Sequence, residues 1–397
     1  MVSKHLEIFR IVSRIYAPEP AAASFRLAGV ARALSDMGKT VEVITTSLPK
    51  GLSAEREEVR VSRFPVLRDK EGYVRGYLQY LSFDIPAFFR VLFSPRAAVS
   101  LVEPPPTTGF VMRIAHALTR TPYVYYLPDL WGAASASFAP KVVVKAVTIL
   151  ETFAVRKAAA VIAVNEEIAE TARAMGAKSV HLIPNGIDTD TFTNEVEPIS
   201  STERQRIGLA DAPYFVYTGT ASEWQGASIF CDALKKVLDD IPQHLVFLGK
   251  GSDWDLIKEK ADNPEIRGRI HVLETLPPEQ TARWIAGADA GLVSIKAGAG
   301  YDHAYPTKVL STLACATPVI YAGPGPARED IEAHSLGICA DYSATSIAKA
   351  FQEIVNSRSN IANCAALRHW VLENKSLAKS SQRVAQVLEN NAAINLS

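Results

Sequence analysis

A lysine stands in the first turn of the run Thr307-Lys308-Val309-Leu310, which continues through Leu313 and Ala314 as an apolar helical stretch. The first amides of a helix lack intrahelical partners and lie at the positive end of its dipole, so a cation there is badly placed unless an anion shares the site. Thr307, Lys308 and Val309 are therefore read as a phosphate grip, with backbone N–H groups and one ammonium converging on an anion without a metal. Gly219 and Gly249 each follow a short apolar run, where glycine permits a tight turn and close approach of a ligand to the backbone. Lys250, next to the second glycine, can approach the same phosphate. The string Gly249-Lys250-Gly251-Ser252 does not make a nucleoside-triphosphate loop, because the upstream glycine that a Gly-Lys-Ser/Thr ending requires is missing.

Strands must end at those glycines and helices must begin beyond them, and the whole chain has that form. Apolar runs alternate with amphipathic helical stretches, the pattern of parallel sheets covered on both faces, so the fold class is α/β. In the first half strands are predicted at Ile8 to Val12, Val41 to Thr45, Ala98 to Val102, Tyr123 to Tyr126, Ala160 to Val164 and Val180 to Ile183. A second series follows the polar stretch Asn194 to Arg206, at Tyr214 to Tyr217, Leu245 to Leu248, Ile270 to Leu273, Gly291 to Ile295 and Val319 to Tyr321. Two Rossmann-like domains are expected, 1–198 and 199–370, with a C-terminal helix in 371–397 crossing back to the first. The crevice between two such sheets is the expected site.

A chain of 397 residues is long enough for two cores, and 48% hydrophobic with 21% charged residues is a globular composition. Forty-two basic residues balance forty-two acidic ones, which excludes a global field for nucleic acid. No apolar run approaches the length of a spanning helix and the N-terminus lacks a signal core, so a cytoplasmic protein is expected. Cys231, Cys315, Cys339 and Cys364 are scattered without a CxxC pair and are expected to be buried free thiols. The segment Tyr73 to Phe93, rich in aromatics and containing Arg75 and Arg90, suits either peripheral contact with a membrane-bound lipid acceptor or a buried helix pair.

The order of the motifs carries a resemblance. Tyr16-Ala17-Pro18-Glu19 with Ser24-Phe25-Arg26 is followed by Pro128-Asp129-Leu130-Trp131, then by Ala158 to Asn165 and by Ile183-Pro184-Asn185-Gly186-Ile187-Asp188 with Phe192. Later come Tyr217-Thr218-Gly219-Thr220 with Gln225-Gly226, Phe247-Leu248-Gly249-Lys250-Gly251, and Tyr305-Pro306-Thr307-Lys308-Val309-Leu310 with Pro318-Val319-Ile320. Together they resemble the family-4 glycosyltransferases of the two-Rossmann (GT-B) fold, in particular the branch that makes bacterial surface polysaccharides.

That resemblance implies a nucleotide-diphosphate sugar as donor, a saccharide or lipid-linked acceptor, transfer of a hexosyl or N-acetylhexosaminyl group with retention, and no metal or other cofactor. Donor binding is then expected from Gly219, Thr220, Gln225, Gly249, Lys250, Tyr305, Pro306, Thr307, Lys308, Val309 and Ser311, and acceptor-side contacts from Glu19 and Arg26. Asp129 is the first catalytic candidate, accepting a hydrogen bond from the sugar or acceptor hydroxyl while the departing phosphate takes the acceptor's proton. His303 and Ser311 stand where the family commonly carries two glutamates, which makes His303 the second catalytic candidate, at the sugar, and assigns Ser311 to the ribose; the resemblance also makes 1–198 the acceptor-side domain and 199–370 the one that binds the nucleotide sugar. Asp188-Thr189-Asp190 mimics a metal-binding aspartate pair but lies inside the interdomain signature, so a solvated turn is expected there. Two other readings fit the same residues: a partner subunit that binds donor without turnover, and a nucleotide-sugar epimerase that needs no acceptor.

Overall fold

Apolar runs three to seven residues long are too short for helices and, away from the sheet edges, too uniformly buried for surface strands, and in the computed structural model of the chain they form two parallel sheets. The structure describes residues 7–19, 21–49, 52–53, 59–69, 72–135, 139–266, 268–302, 304–356 and 363–393. It divides into two units, one of residues 1–185 with 377–397, the other of 186–376.

In the first unit the described elements are β1 (Ile8–Val12), α1 (Ala22–Asp36), β2 (Thr40–Thr46), β3 (Arg60–Phe64), α2 (Tyr77–Phe93), β4 (Val99–Val102), α3 (Pro106–Thr119), β5 (Tyr123–Leu127), α4 (Trp131–Ser135), α5 (Lys141–Lys157), β6 (Ala160–Ala163), α6 (Glu166–Ala174) and β7 (Val180–Leu182). Their strands make a seven-stranded sheet in the order β3-β2-β1-β4-β5-β6-β7, parallel throughout. Strand order reverses between β1 and β4, and ligands of open parallel sheets bind beyond the carboxyl ends of strands at such a reversal.

The second unit contains α7 (Ser201–Arg206), β8 (Tyr214–Thr220), α8 (Ile229–Lys236), β9 (His244–Lys250), α9 (Trp254–Ala261), β10 (Ile270–Leu273), α10 (Pro278–Ala286), β11 (Ala290–Ser294), α11 (Thr307–Ala314), β12 (Val319–Ala322), α12 (Pro326–His334), β13 (Gly337–Ala340), α13 (Ala344–Asn356) and α14 (Cys364–Asn374). Its six-stranded sheet runs β10-β9-β8-β11-β12-β13, again parallel, with the reversal between β8 and β11. Two strands escaped sequence reading. β3 is a sheet edge whose Arg-Val-Ser-Arg-Phe run mixes charge with apolar residues, and β13 opens on glycine, so neither shows the continuous hydrophobicity of its neighbours.

The change of unit falls at Asn185 and Gly186, ahead of the polar stretch that marks it in the sequence. Backbone bonding decides the place: the Ile187 N–H donates to the Lys375 carbonyl within the second unit. Before the change, the Pro184 carbonyl accepts from the Ser380 hydroxyl within the first unit. The last helix, α15 (Leu377–Ala393), lies against α1. Its Val384, Ala385 and Leu388 join Leu27, Val30 and Leu34 in the core over one face of the first sheet. Gly29 permits this approach, since a Cβ there would lie 2.4 Å from the Ser381 hydroxyl oxygen. Of the cysteines, Cys231 and Cys315 are buried as expected, whereas Cys339 is half-buried and Cys364 is exposed at the start of α14.

The first unit therefore depends on a segment remote in sequence. Leu388→Ala, which empties a position with 1% exposure, should destabilise this unit by about 3 kcal/mol, read as a lower midpoint in urea or thermal unfolding.

Candidate functional site

The carboxyl ends of β8, β9 and β11 bring the sequence-separated glycines and lysines to one edge of the second sheet. Gly219, in the last turn of β8, has φ +85, and a Cβ there would stand 3.8 Å from both Cε and Nζ of Lys308. The ammonium of Lys308 also lies 5.2 Å from the ring centroid of Tyr217. Among the described residues no carboxylate or hydrogen-bond acceptor engages this ammonium, and burial alone pushes its pKa down to about 8. Lys296, just past β11, packs beside Gly226, where a Cβ would come within 2.3 Å of its Cε. Lys250, at the end of β9, is exposed. Among the described residues none of these three lysines is ion-paired with a carboxylate.

The amino end of α11 is open on its first turn. Pro306 is the N-cap residue and contributes no side-chain cap, and the Thr307 and Lys308 amides have no partner among the described residues. Val309 differs from expectation: its side chain is fully buried and its N–H donates to the Pro306 carbonyl at 3.1 Å, so that amide is already committed. The Ser311 hydroxyl turns back to donate to the Lys308 carbonyl at 3.1 Å. Tyr305 donates to Asp330 at 3.0 Å, and its ring carries the Lys375 ammonium 4.5 Å from the centroid. The amide oxygen of Gln225 closes its own turn by accepting from the Ser222 N–H, while Thr220 is exposed with its carbonyl bound by the Tyr217 hydroxyl. Gly249 is glycine for a structural reason, since a Cβ would lie 2.0 Å from the Gly219 carbonyl oxygen on the neighbouring strand. His303 lies outside the described residues.

At the strand-order reversal of the first sheet, Ser13 beyond β1 donates to Glu103 beyond β4 at 2.9 Å. Arg26 of α1 forms a buried ion pair with the other oxygen of Glu103, donates to the Asn185 side chain at 3.2 Å and stands over the Tyr126 ring at 4.6 Å. Sequence reasoning missed Glu103, although a carboxylate directly after Val99-Ser-Leu-Val and before three prolines was visible. Glu19 accepts from both terminal nitrogens of Arg68, at 3.1 and 2.9 Å, so its oxygens brace loops. Asp188 accepts from the Asp190 and Thr191 N–H groups and the Thr191 hydroxyl, which makes it a turn aspartate.

Asp129 lies just past β5 and is exposed. Its alternative role would be to cap α4, but Glu151 of α5 does that, accepting from the Trp131 and Gly132 N–H groups at 2.9 and 3.2 Å. The Asp129 carboxylate has no hydrogen-bond partner among the described residues. Desolvation raises its pKa, Arg26 opposes the rise, and Glu103 adds to it. A carboxylate in this position is free to accept a hydrogen bond from an incoming hydroxyl.

Two parallel α/β units, each with one reversal of strand order, define a two-domain Rossmann-like protein. Family comparison narrows the class. Residues 22–186 match the glycosyl transferase 4-like domain and 200–369 match the glycosyl transferases group 1 domain, so the chain belongs to the family-4 type, GT-B glycosyltransferases. A D-inositol 3-phosphate glycosyltransferase of Xylanimonas cellulosilytica is 27% identical over 46% of this chain, and the match spans 45% of that relative's length. Sucrose-phosphate synthase (tll1590) from Thermosynechococcus elongatus shares the fold at a TM-score of 0.77 and 15% identity, over 98% of this chain and 100% of that one. Anabaena Alr3699/HepE, solved with UDP and glucose, shares it at 0.71 and 18%, over 97% and 100%.

Asp84 of α2 is a second buried carboxylate that sequence reading passed over. It is fully buried, accepts from Thr108 at 2.5 Å, and leaves its other oxygen without a partner. Desolvation raises its pKa to about 6 against the pull of Thr108, Thr107 and Arg14. A native pKa above the unfolded one means the folded state binds the extra proton, so stability falls as pH rises from about 4 through about 6 and the cost persists above. Asp84→Asn should stabilise the protein at neutral pH by on the order of 2 kcal/mol, with the gain vanishing toward pH ~4 in denaturant titrations.

Proposed function

We propose that this chain transfers a hexosyl or N-acetylhexosaminyl group, with retention, from a nucleoside-diphosphate sugar to a saccharide or lipid-linked acceptor of the bacterial cell envelope, without a metal. The observation that carries this reading is the half-buried, unpaired Lys308 ammonium at the open first turn of α11, beside Gly219. A diphosphate there accepts from the Thr307 and Lys308 amides and from the ammonium, which offsets the desolvation of the lysine. As the bond from the anomeric carbon to the leaving phosphate oxygen breaks, negative charge accumulates on that oxygen, and donors already fixed in place stabilise it without reorganising. The acceptor hydroxyl attacks the same face of the sugar, and its proton passes to the departing phosphate oxygen. Lys296 and Lys250 add positive potential along the same strand ends.

In the first unit Asp129 orients the reacting hydroxyl, and the Arg26–Glu103 pair positions that loop's electrostatics. The UDP and glucose bound by HepE, and the sugar-transfer activity in the name of the Xylanimonas relative, support UDP-hexoses as the first donors to test.

A thermal-shift screen of nucleoside diphosphates and their sugars tests the donor side, since a ligand at a hundredfold excess over its dissociation constant adds about 2.7 kcal/mol. Stabilisation by none of them overturns the reading. Lys308→Met should weaken binding of the best nucleotide by about a hundredfold, equivalent to about 2.7 kcal/mol. In the wild type, affinity should fall as pH climbs above about 8, by up to roughly tenfold per unit, because the free ammonium loses its proton there. That dependence should vanish in the methionine variant.

Asp129→Asn should lower kcat by about a hundredfold or more while leaving nucleotide affinity within about twofold. Unchanged turnover would remove Asp129 from the reaction.

A further inference from the structure

The helices α2, α3 and α5 lie side by side over one face of the first sheet, joined to it through Phe83, Ala87, Met112, Ala115, Ala154 and Val155. Their outward surface is unusual for a protein of zero net charge. On α2, Tyr77, Leu81, Ile85, Phe89 and Phe93 recur every four residues and all are exposed, Phe93 to 79%. Leu78 beside them is 70% exposed. The row continues with Ile114 and Leu118 on α3, and with Val142 and Ile149 on α5, Val142 reaching 81%. An open groove lined by Pro86, Phe89, Arg90, Phe93 and Ser94 indents this face.

Charge on the same three helices is one-sided. Of the chain's forty-two acidic residues only Asp84 and Glu151 fall in them, and both are fully buried; six of the forty-two basic residues do: Arg90, Arg113, Lys141, Lys145, Arg156 and Lys157. Lys141 and Lys145 are exposed, and among the described residues neither has a carboxylate partner, whereas Arg90 donates to the Ser62 hydroxyl at 2.9 Å and lies over the Phe64 ring of β3. Lys145 shares the outward side of α5 with Val142 and Ile149, so cation and apolar groups occupy one surface.

We infer that the outer face of α2, α3 and α5 docks on an anionic lipid bilayer, its apolar row entering the headgroup boundary and Lys141 and Lys145 meeting the lipid phosphates. Exposed apolar rows edged by cations and devoid of carboxylates bind such surfaces by two additive forces, burial of apolar area and attraction to anionic headgroups. Charge decides against a second copy of the chain as the occupant, because a two-fold contact through this face sets cations against cations. No helix among the described residues is long and apolar enough to cross a membrane, so the face rests on the bilayer surface. Tyr80 of α2 meets Trp131 edge-on at 6.1 Å, which brings the face up to the Asp129 loop. A lipid-linked acceptor rising from the bilayer would arrive there; that last link alone rests on the proposed transfer reaction.

Sedimentation of the full chain with vesicles, without donor or acceptor, tests the docking separately from catalysis. Phosphatidylcholine vesicles are compared with an equal mixture of phosphatidylcholine and phosphatidylglycerol. With two cations each contributing near the surface, partitioning should be about thirtyfold stronger on the anionic vesicles and should weaken as salt is raised. Phe89→Ser with Phe93→Ser should lose most binding to both compositions, and Lys141→Glu with Lys145→Glu should lose the preference for anionic lipid. The charge variant alters only exposed positions, so it decides the matter even if the apolar variant fails to fold. Equal binding to both compositions, binding to neither, or a concentration-dependent dimer that the phenylalanine variant disperses would each overturn the inference. Nucleotide stabilisation in a chain that ignores vesicles would leave the transferase reading standing.

Discussion

An ammonium held half out of water with no counter-charge is the constraint on which the second unit turns. Lys308 meets the ring of Tyr217, the backbone turn at Gly219 and the positive end of its own helix, and none of these neutralises it. Its lowered pKa records the cost of that placement. A protein with forty-two carboxylates could have paired this lysine, as it pairs Lys375 with Asp330 and Lys260 with Asp232. In the proposed reaction an unpaired lysine keeps a fixed donor set ready for an anion whose charge grows during bond cleavage, which is where preorganised electrostatics lower a barrier most.

The first unit solves a different problem. Arg26, Glu103, Ser13, Asn185 and Tyr126 form one buried network in which each charge has a partner, so it fixes geometry at the strand-order reversal. Asp129 sits at the rim of that network, touched by its field and bound to none of it. Glu151 makes this possible by satisfying the α4 amides that Asp129 would otherwise cap. Rigid support and an unspent carboxylate are thus supplied by different residues, and the stability cost of burying Asp84 and Glu151 also strips negative charge from the outside of three helices.

Residue types in order were enough to single out candidates for the site. Thr307-Lys308, Gly219 and Lys250 were legible because a lysine in a first helical turn and a glycine at a strand end each break a local preference, and a local rule is visible in a local window. Ser311, Tyr305, Gln225 and Glu19 were assigned to ligand by analogy, and the structure engages their polar groups with protein instead: Lys308, Asp330, Ser222 and Arg68. The side chains of Glu103 and Arg26 are 77 positions apart in sequence, a separation at which spacing carries no information about contact.

What the sequence determined alone was the α/β alternation and the ends of most strands, since each follows from periodicity and backbone preference within a few residues. Tertiary structure decided which polar groups are already satisfied, which helices share an outer face, and which residues of α15 enter the first core. Those outcomes depend on which distant surfaces exclude water from one another, and that is settled only when the chain has packed.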